Sequence, residues 1–368
     1  MRLLFSIGIL LLCPIFIYSQ QASSDAVKTE IGKLGNAAYR IDVPQDWNHR
    51  LIVYYHGNSE KPVLYRTDRP NKVDEKYLSH GYAVIQSGYS ATGWAVAEAF
   101  PETETLRKYF ISKYGAPVKT YVVGQSMGGT LTMMTIELEP EKYSGALALC
   151  GRLDSSNEAR QKAFAMRAAF DYYFPNLLPP LDPVPQNFHK SNKLQQKGEQ
   201  ALALNPIGAA AMRSLMRLHS DKDVVSAMLF TTFVVKDAQE KAGGNPFDNR
   251  NYIYTGSQDD RALNDGVLRY KSDPITMQFL VHNYTPTGRL LKPMLALNTT
   301  YDPVTNPSSI YPYELAVESE GRTENFVQQY VHADGHCHFT AQQIWIAFSE
   351  LVDWVDHANR PVPGLLPK

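Results

Sequence analysis

The chain has 368 residues, of which 44% are hydrophobic and 20% charged, so it is long enough for one large α/β domain or two smaller domains. This composition excludes a disordered chain, a coiled coil and a collagen-like chain. The 36 basic and 37 acidic side chains give a formal net charge of -1, without a long run of like charge. The chain therefore lacks the basic surface of a nucleic-acid-binding protein, and we expect no nucleic-acid partner.

The chain begins with a short apolar stretch, residues 3–17, which is followed by the small residue Ser19. The stretch is short for a membrane-spanning helix and is interrupted by Pro14, which is typical of a cleaved signal peptide over residues 1–19. An uncleaved anchor helix and a lipidated Cys13 remain alternatives. No second apolar stretch of spanning length follows, so we expect a secreted or periplasmic protein that is free of the membrane after cleavage.

Short β-branched and aromatic runs alternate with helical patterns in the first third of the chain. This alternation is typical of a mostly parallel sheet with crossover helices. The predicted strands are residues 38–43, 51–55, 82–87, 119–123, 145–150, 293–298 and 326–331. The predicted helices are residues 102–114, 127–138 and 340–357.

The middle of the chain has a different pattern. Apolar residues such as Phe164, Ala168 and Tyr172 recur there with helical spacing. The strand-like runs stop before this section and return after it. We therefore predict an α/β core made of residues 20–150 and 291–368, with residues 151–290 inserted as a mainly helical cap or lid.

The strongest chemical motif is Gly-Gln-Ser-Met-Gly, residues 124–128, between a predicted strand and a predicted helix. In such a G-x-S-x-G turn the serine hydroxyl stands at the end of the sheet in a strained backbone conformation. Gly124 and Gly128 avoid collisions on either side, and the helix N-terminus favours developing negative charge. Ser126 is therefore the predicted nucleophile, the alternative being a purely structural glycine-rich turn.

A loop that follows the predicted strand at residues 51–55 faces this turn. One of its backbone N–H groups could form an oxyanion hole together with the N–H of Met127. His56 lies in the same loop, and we interpret it as a structural residue that holds the loop rather than as a base.

A serine nucleophile needs a base, and the base needs a carboxylate that orients it. Asp302 follows a late predicted strand and is the predicted acid, although an Asp-Pro turn would also explain it. Among three neighbouring histidines, His336 follows Gly335 in a loop and is the preferred base over His332 and His338. The alternative of a metal site lacks a matching acidic or thiolate cluster, so we expect no metal or organic cofactor.

The motifs GQSMGG, HGN, YDPVTNP and ADGHCHF together resemble the α/β-hydrolase superfamily. More narrowly, they are similar to secreted bacterial serine esterases with a Gly-His-Cys-x-Phe histidine segment. The resemblance implies an α/β fold with a mostly parallel central sheet, helices on both faces and a helical lid. It also implies Ser126 as nucleophile, Asp302 as acid and His336 as base, with Asn58 and Met127 as oxyanion donors.

Two cysteines remain after the predicted signal peptide. Cys150 ends a predicted strand and Cys337 follows the predicted base, so both should lie near the same edge of the sheet. We therefore hypothesise a disulfide that holds the histidine loop, with two buried free thiols as the alternative.

These patterns predict a secreted serine hydrolase that cleaves small-molecule or polymer-derived carboxylic esters through an acyl-enzyme. A serine peptidase of the same fold, acting like an aminopeptidase, is the first alternative. A non-catalytic binding module is the second. The sequence predicts neither the acyl specificity nor the oligomeric state.

Overall fold

The computed structural model describes residues 27–66, 70–281 and 284–367. The predicted signal peptide, residues 1–19, and Cys13 lie outside the described residues.

A nine-stranded sheet forms the centre of the described chain. Its strands are β1 (Val27–Leu34), β2 (Ala37–Pro44), β3 (Arg50–Tyr55), β4 (Ala83–Ser87), β5 (Lys119–Gln125), β6 (Gly145–Leu149), β7 (Met294–Tyr301), β8 (Phe326–Asp334) and β9 (Gly364–Leu365). They lie side by side in the order β1-β2-β4-β3-β5-β6-β7-β8-β9. The pairs β1–β2 and β2–β4 are antiparallel and the other neighbours are parallel.

Eleven α-helices accompany the sheet in the described residues. They are α1 (Lys72–Leu78), α2 (Val96–Tyr114), α3 (Met127–Leu138), α4 (Ser156–Tyr173), α5 (Asn192–Leu204), α6 (Pro206–Met216), α7 (Asp221–Ala242), α8 (Asp260–Gly266), α9 (Pro274–Val281), α10 (Tyr311–Ser319) and α11 (Ala341–His357). Helices α4 to α9 lie between β6 and β7 in the chain. None of the helices in the described part is long and apolar enough to cross a membrane.

Both faces of the sheet are buried, as the central strand β3 illustrates. Leu51 and Val53 share a hydrophobic cluster with Leu131 of α3, whereas Ile52 belongs to a cluster on the opposite face with Phe348 of α11. A strand that is covered on both faces has apolar residues at successive positions, which explains the run LIVYY. The mostly parallel sheet with helices on both faces confirms the predicted α/β-hydrolase fold.

The segment between β6 and β7 has a hydrophobic cluster of its own. Phe164 and Phe170 of α4, Met212 of α6 and Met228 of α7 are fully or almost fully buried in it. The helices of this segment are therefore stabilised largely by packing on one another.

Several elements differ from the sequence-based expectation. Helix α2 begins at Val96 rather than at Glu102 and continues through Pro101, because Val96 and Ala99 are buried in the sheet-facing cluster. Strand β1 was not predicted, since it lies at the edge of the sheet with most residues only half-buried. Strand β9, at the opposite edge of the sheet, and helices α1 and α10 were not predicted either. The boundaries of the predicted strands shift by a few residues at most.

Candidate active site

Ser126 occupies the sharp turn between β5 and α3, with φ +59°. This is a left-handed conformation that side chains other than glycine rarely adopt. A Cβ atom on Gly124 would collide with the carbonyl oxygen of Gly128, and one on Gly128 would collide with the carbonyl oxygen of Tyr55. The two flanking glycines are thus required for α3 to begin directly beneath Ser126.

Ser126, His336 and Asp302 form one chain of hydrogen bonds. The Ser126 hydroxyl lies 2.8 Å from Nε2 of His336, and Nδ1 of His336 lies 2.7 Å from Oδ2 of Asp302. A carboxylate only accepts, which assigns the imidazole proton to Nδ1 and leaves Nε2 free to accept the serine proton. The arrangement can therefore move a proton from a hydroxyl to an imidazole beside a buried negative charge.

The carboxylate of Asp302 is fully buried and directly follows the irregular end of β7. Its Oδ1 accepts hydrogen bonds from the backbone N–H groups of Val304 and Thr305, both at 2.8 Å. The Asp-Pro turn considered as an alternative is therefore present, and it orients the same carboxylate that contacts His336.

The loop after β8 brings His336 to the edge of the sheet. Gly335 has φ +115°, its N–H donates to the carbonyl oxygen of Tyr301 at 2.8 Å, and its own carbonyl accepts from Thr299 Oγ1 at 3.1 Å. These two contacts attach the loop to the end of β7, the strand that precedes Asp302. The other two histidines do not join the chain of hydrogen bonds: His332 lies within β8, and Nδ1 of His338 lies 2.6 Å from the carbonyl oxygen of Asp334.

A disulfide joins Cys150, at the end of β6, to Cys337, with 5.3 Å between their Cα atoms. The Sγ atom of Cys337 lies 3.6 Å from Nε2 of His336, so the disulfide lies directly against the imidazole. Disulfide sulfurs offer no thiolate, and the cluster of Cys150, His336 and Cys337 is therefore unsuited to holding a metal ion.

The loop after β3 passes directly over Ser126. A Cβ atom on Gly57 would lie 3.1 Å from Cβ of Ser126, and Asn58 lines the same cavity as Ser126 and Met127. The ring of His56 stacks on Tyr89 at 3.9 Å between ring centroids, and its Nδ1 lies 2.6 Å from the carbonyl oxygen of Gly57. Burial lowers the pKa of His56. These contacts agree with the interpretation of His56 as a residue that holds the loop.

Two adjoining cavities open at this edge of the sheet. The smaller, about 120 Å³, contains Ser126 and is bounded by α4, α7 and the segment around Trp94. The larger, about 330 Å³, lies between α4, α6, α7 and the turn after Asp302. Phe230, Thr231 and Val304 line both cavities. The helical segment between β6 and β7 thus forms much of the wall around the serine.

Residues 34–310 match the model of the Tannase-like family of unknown function (DUF6351). The chain belongs to this tannase-like family. No curated protein matches the chain significantly in sequence.

Three solved structures are similar to this tannase-like protein, with 9–12% sequence identity. The esterase Pf2001 of Pyrococcus furiosus is 11% identical, with 89% of each chain covered and a TM-score of 0.46. The acylaminoacyl peptidase of Pyrococcus horikoshii is 9% identical, with 89% of this chain and 42% of that chain covered and a TM-score of 0.47. A structure described as an arylesterase is 12% identical, with 89% of this chain and 85% of that chain covered and a TM-score of 0.45.

Among the residues of the tannase-like protein that line the smaller cavity and that no sequence motif indicates, two stand close together. They are Trp94, just before α2, and Arg160, near the start of α4. Arg160 precedes Phe164 by four positions and Arg167 by seven, so these three residues lie on one face of α4. The sequence carries no pattern that distinguishes Arg160 from Arg167.

Proposed function

We propose that this protein is a serine hydrolase that cleaves carboxylic esters through an acyl-enzyme. The observation that carries the proposal is the chain of hydrogen bonds from Ser126 through His336 to Asp302, at 2.8 and 2.7 Å. Membership of a tannase-like family also supports it.

In the first half of the reaction, Nε2 of His336 takes the proton of Ser126 while the serine oxygen attacks the ester carbonyl carbon. The buried carboxylate of Asp302 stabilises the imidazolium that results. The backbone N–H groups of Met127 and Asn58 donate to the oxyanion. When the tetrahedral intermediate collapses, the alcohol leaves with the proton from His336 and the acyl group stays on Ser126.

In the second half, His336 takes a proton from a water molecule, which attacks the acyl carbonyl. The second tetrahedral intermediate releases the carboxylic acid and returns the proton to Ser126. Ser126 and His336 return to their starting protonation states after each turnover, and the scheme uses no metal or organic cofactor.

We further propose that residues 151–290 act as a cap whose helices determine which ester enters. Support comes from the two cavities, since α4 and α7 line both. We also propose that the protein works outside the cytosol. The disulfide between Cys150 and Cys337 supports this, because thiols in the cytosol are normally kept reduced.

The test is labelling with a fluorophosphonate probe, combined with hydrolysis of acyl esters and aminoacyl amides. We expect labelling at Ser126 and hydrolysis of esters faster than amides. Ser126→Ala should abolish labelling and lower kcat by at least about 10⁴-fold, whereas Ser319→Ala, an exposed serine on α10, should change neither. If the folded protein is not labelled by the probe, the alternative of a non-catalytic binding module is favoured. If amides are hydrolysed faster than esters, a peptidase is favoured.

A further inference from the structure

The smaller cavity combines an apolar lining with a buried positive charge. Met127, Phe230, Val234 and Val304 contribute apolar surface to it. Arg160 lies in the same wall, and only 6% of its surface is exposed. A buried guanidinium is costly unless it is paired with an anion or fully hydrogen-bonded, so its partners in the structure matter.

Arg160 has no hydrogen-bonding partner for its terminal nitrogens within the described part of the chain. Nη1 and Nη2 are both buried, and neither donates to a protein acceptor. The guanidinium instead stacks on the indole of Trp94, at 4.4 Å from the ring centroid. Burial lowers the pKa of Arg160 to about 9. The indole Nε1 of Trp94 is likewise buried without an acceptor.

Arg167, on the same helix, shows how this chain satisfies a buried arginine that has a structural role. Its Nε donates to Thr232 Oγ1 at 2.9 Å and its Nη2 donates to the carbonyl oxygen of Pro179 at 2.8 Å. Its Nη1 makes no hydrogen bond but forms an ion pair with Asp171. Arg160 has none of these bonds at its two terminal nitrogens.

Asp237 is the acidic residue whose charge acts on Arg160, but its carboxylate already has other partners. It favours the charged form of Arg160, yet its Oδ2 accepts the backbone N–H of Trp94 at 3.0 Å. Its other carboxylate oxygen forms an ion pair with Lys241 at 3.0 Å. Asp237 therefore positions the Trp94 segment, and it provides no hydrogen-bond acceptor to the terminal N–H groups of Arg160.

We propose that Arg160 and Trp94 bind a carboxylate at the far end of the substrate's acyl group, so that the preferred substrates are monoesters of short dicarboxylic acids. The inference rests on the proposed ester hydrolysis at Ser126, which lines the same cavity. The three unpaired nitrogens are all donors, as an anionic acceptor requires, and the planar guanidinium matches the two oxygens of a carboxylate. A cavity of about 120 Å³ suits a short acyl chain, and the adjoining larger cavity takes the alcohol.

The experiment compares monomethyl glutarate with methyl valerate, which differ in a terminal carboxylate against a terminal methyl group. For the unmodified protein we expect kcat/KM to favour monomethyl glutarate by at least about tenfold, as charge-assisted hydrogen bonds predict. Arg160→Met should lower kcat/KM for monomethyl glutarate by about 10- to 100-fold. It should change kcat/KM for methyl valerate by no more than about threefold. Equal rates for the two esters in the unmodified protein would overturn the proposal.

Two further variants keep the result interpretable. Arg261→Met removes a positive charge from α8, where the side chain is 93% exposed, and should leave the ratio of the two esters unchanged. Trp94→Phe keeps an aromatic ring but removes the indole N–H, and we expect the ratio to fall even if Arg160→Met does not fold. A ratio that neither cavity variant alters would contradict the assignment to this cavity.

The same measurements separate this proposal from the proposed function. If the fluorophosphonate probe labels Ser126 and methyl valerate is hydrolysed as fast as monomethyl glutarate, the carboxylate proposal alone is wrong. If neither labelling nor hydrolysis occurs in folded protein, the ester-hydrolase proposal itself is wrong.

Discussion

The carboxylate of Asp302 lies 2.7 Å from Nδ1 of His336 through one oxygen and holds its own turn through the other. The buried side chain of Asp302 thus orients the imidazole of His336 and also stabilises the turn that follows Asp302. Removing the charge and removing the whole side chain should therefore have different effects, and the difference can be measured.

Asp302→Asn should lower kcat by about 10³- to 10⁴-fold with a nearly unchanged melting temperature. The amide oxygen can still accept from Val304 and Thr305, but the amide N–H₂ facing His336 favours the tautomer that carries its proton on Nε2. That tautomer cannot accept the serine proton. The measurements are ester hydrolysis and thermal unfolding.

Asp302→Ala should lose as much activity and in addition about 1–3 kcal/mol of unfolding free energy, because the backbone N–H groups of Val304 and of the buried Thr305 lose their acceptor. Equal stability of the Asn and Ala variants would show that the turn does not depend on this carboxylate.

Gly57→Ala should lower kcat by up to about 100-fold and leave the melting temperature close to that of the unmodified protein. The added methyl group would lie 3.1 Å from Cβ of Ser126 and so displace the loop that carries the proposed oxyanion donor Asn58. The measurement is steady-state ester hydrolysis together with thermal unfolding.

Gly244→Ala is a matched control for this substitution, since its added methyl group would meet Cγ2 of Thr276 at the same 3.1 Å, in the segment between α7 and α8. We expect normal activity from it. If both alanine variants were equally active, the loop at Gly57 would not have the proposed role.

Removing the disulfide by Cys150→Ala and Cys337→Ala should lower the free energy of unfolding by about 2–4 kcal/mol, because the bond closes a loop with a sequence separation of 187 residues. It should also lower kcat, since Cys337 adjoins His336. Reduction of the unmodified protein should reproduce both effects, and a reductant should not affect the double variant. Unchanged unfolding after complete reduction would contradict the prediction.

Asp74→Asn should stabilise the protein at pH 8 and have little effect at pH 4. Burial raises the pKa of Asp74 to about 6, despite hydrogen bonds from Gln86 at 2.8 Å and Asn71 at 2.7 Å. Because this pKa lies above that of the unfolded chain, the folded protein binds more protons between about pH 4 and pH 6 and loses stability as pH rises.

The asparagine at position 74 keeps an acceptor for both donors without the buried charge, so the gain at pH 8 should reach about 2 kcal/mol. Chemical denaturation at several pH values measures it. A stabilisation that does not vary with pH would show that the charge of Asp74 is not its cause.

The sequence was sufficient to predict the fold and to locate the three residues that meet at the edge of the sheet. Each of those signals is local: Ser126 stands in a G-x-S-x-G turn between a strand and a helix, while Asp302 and His336 occur in or next to loops that follow strands. Because the carboxyl ends of parallel strands share one edge, three local patterns imply one meeting point. The edge strands β1 and β9 and the true start of α2 were not predicted, because tertiary contacts stabilise them.

Only the tertiary structure decided what surrounds the serine. Helical spacing places Arg160 on the same face of α4 as Phe164 and Arg167, but no local pattern indicates that Arg160 contacts the indole of Trp94 or that both residues line the cavity of Ser126. Those neighbours come from segments far apart in the chain, and their contact depends on how α4 and α7 pack over the sheet. A strand or helix can be predicted from the hydrophobic periodicity of its own residues. The chemistry of a pocket depends on contacts between distant residues, which hydrophobic periodicity does not predict.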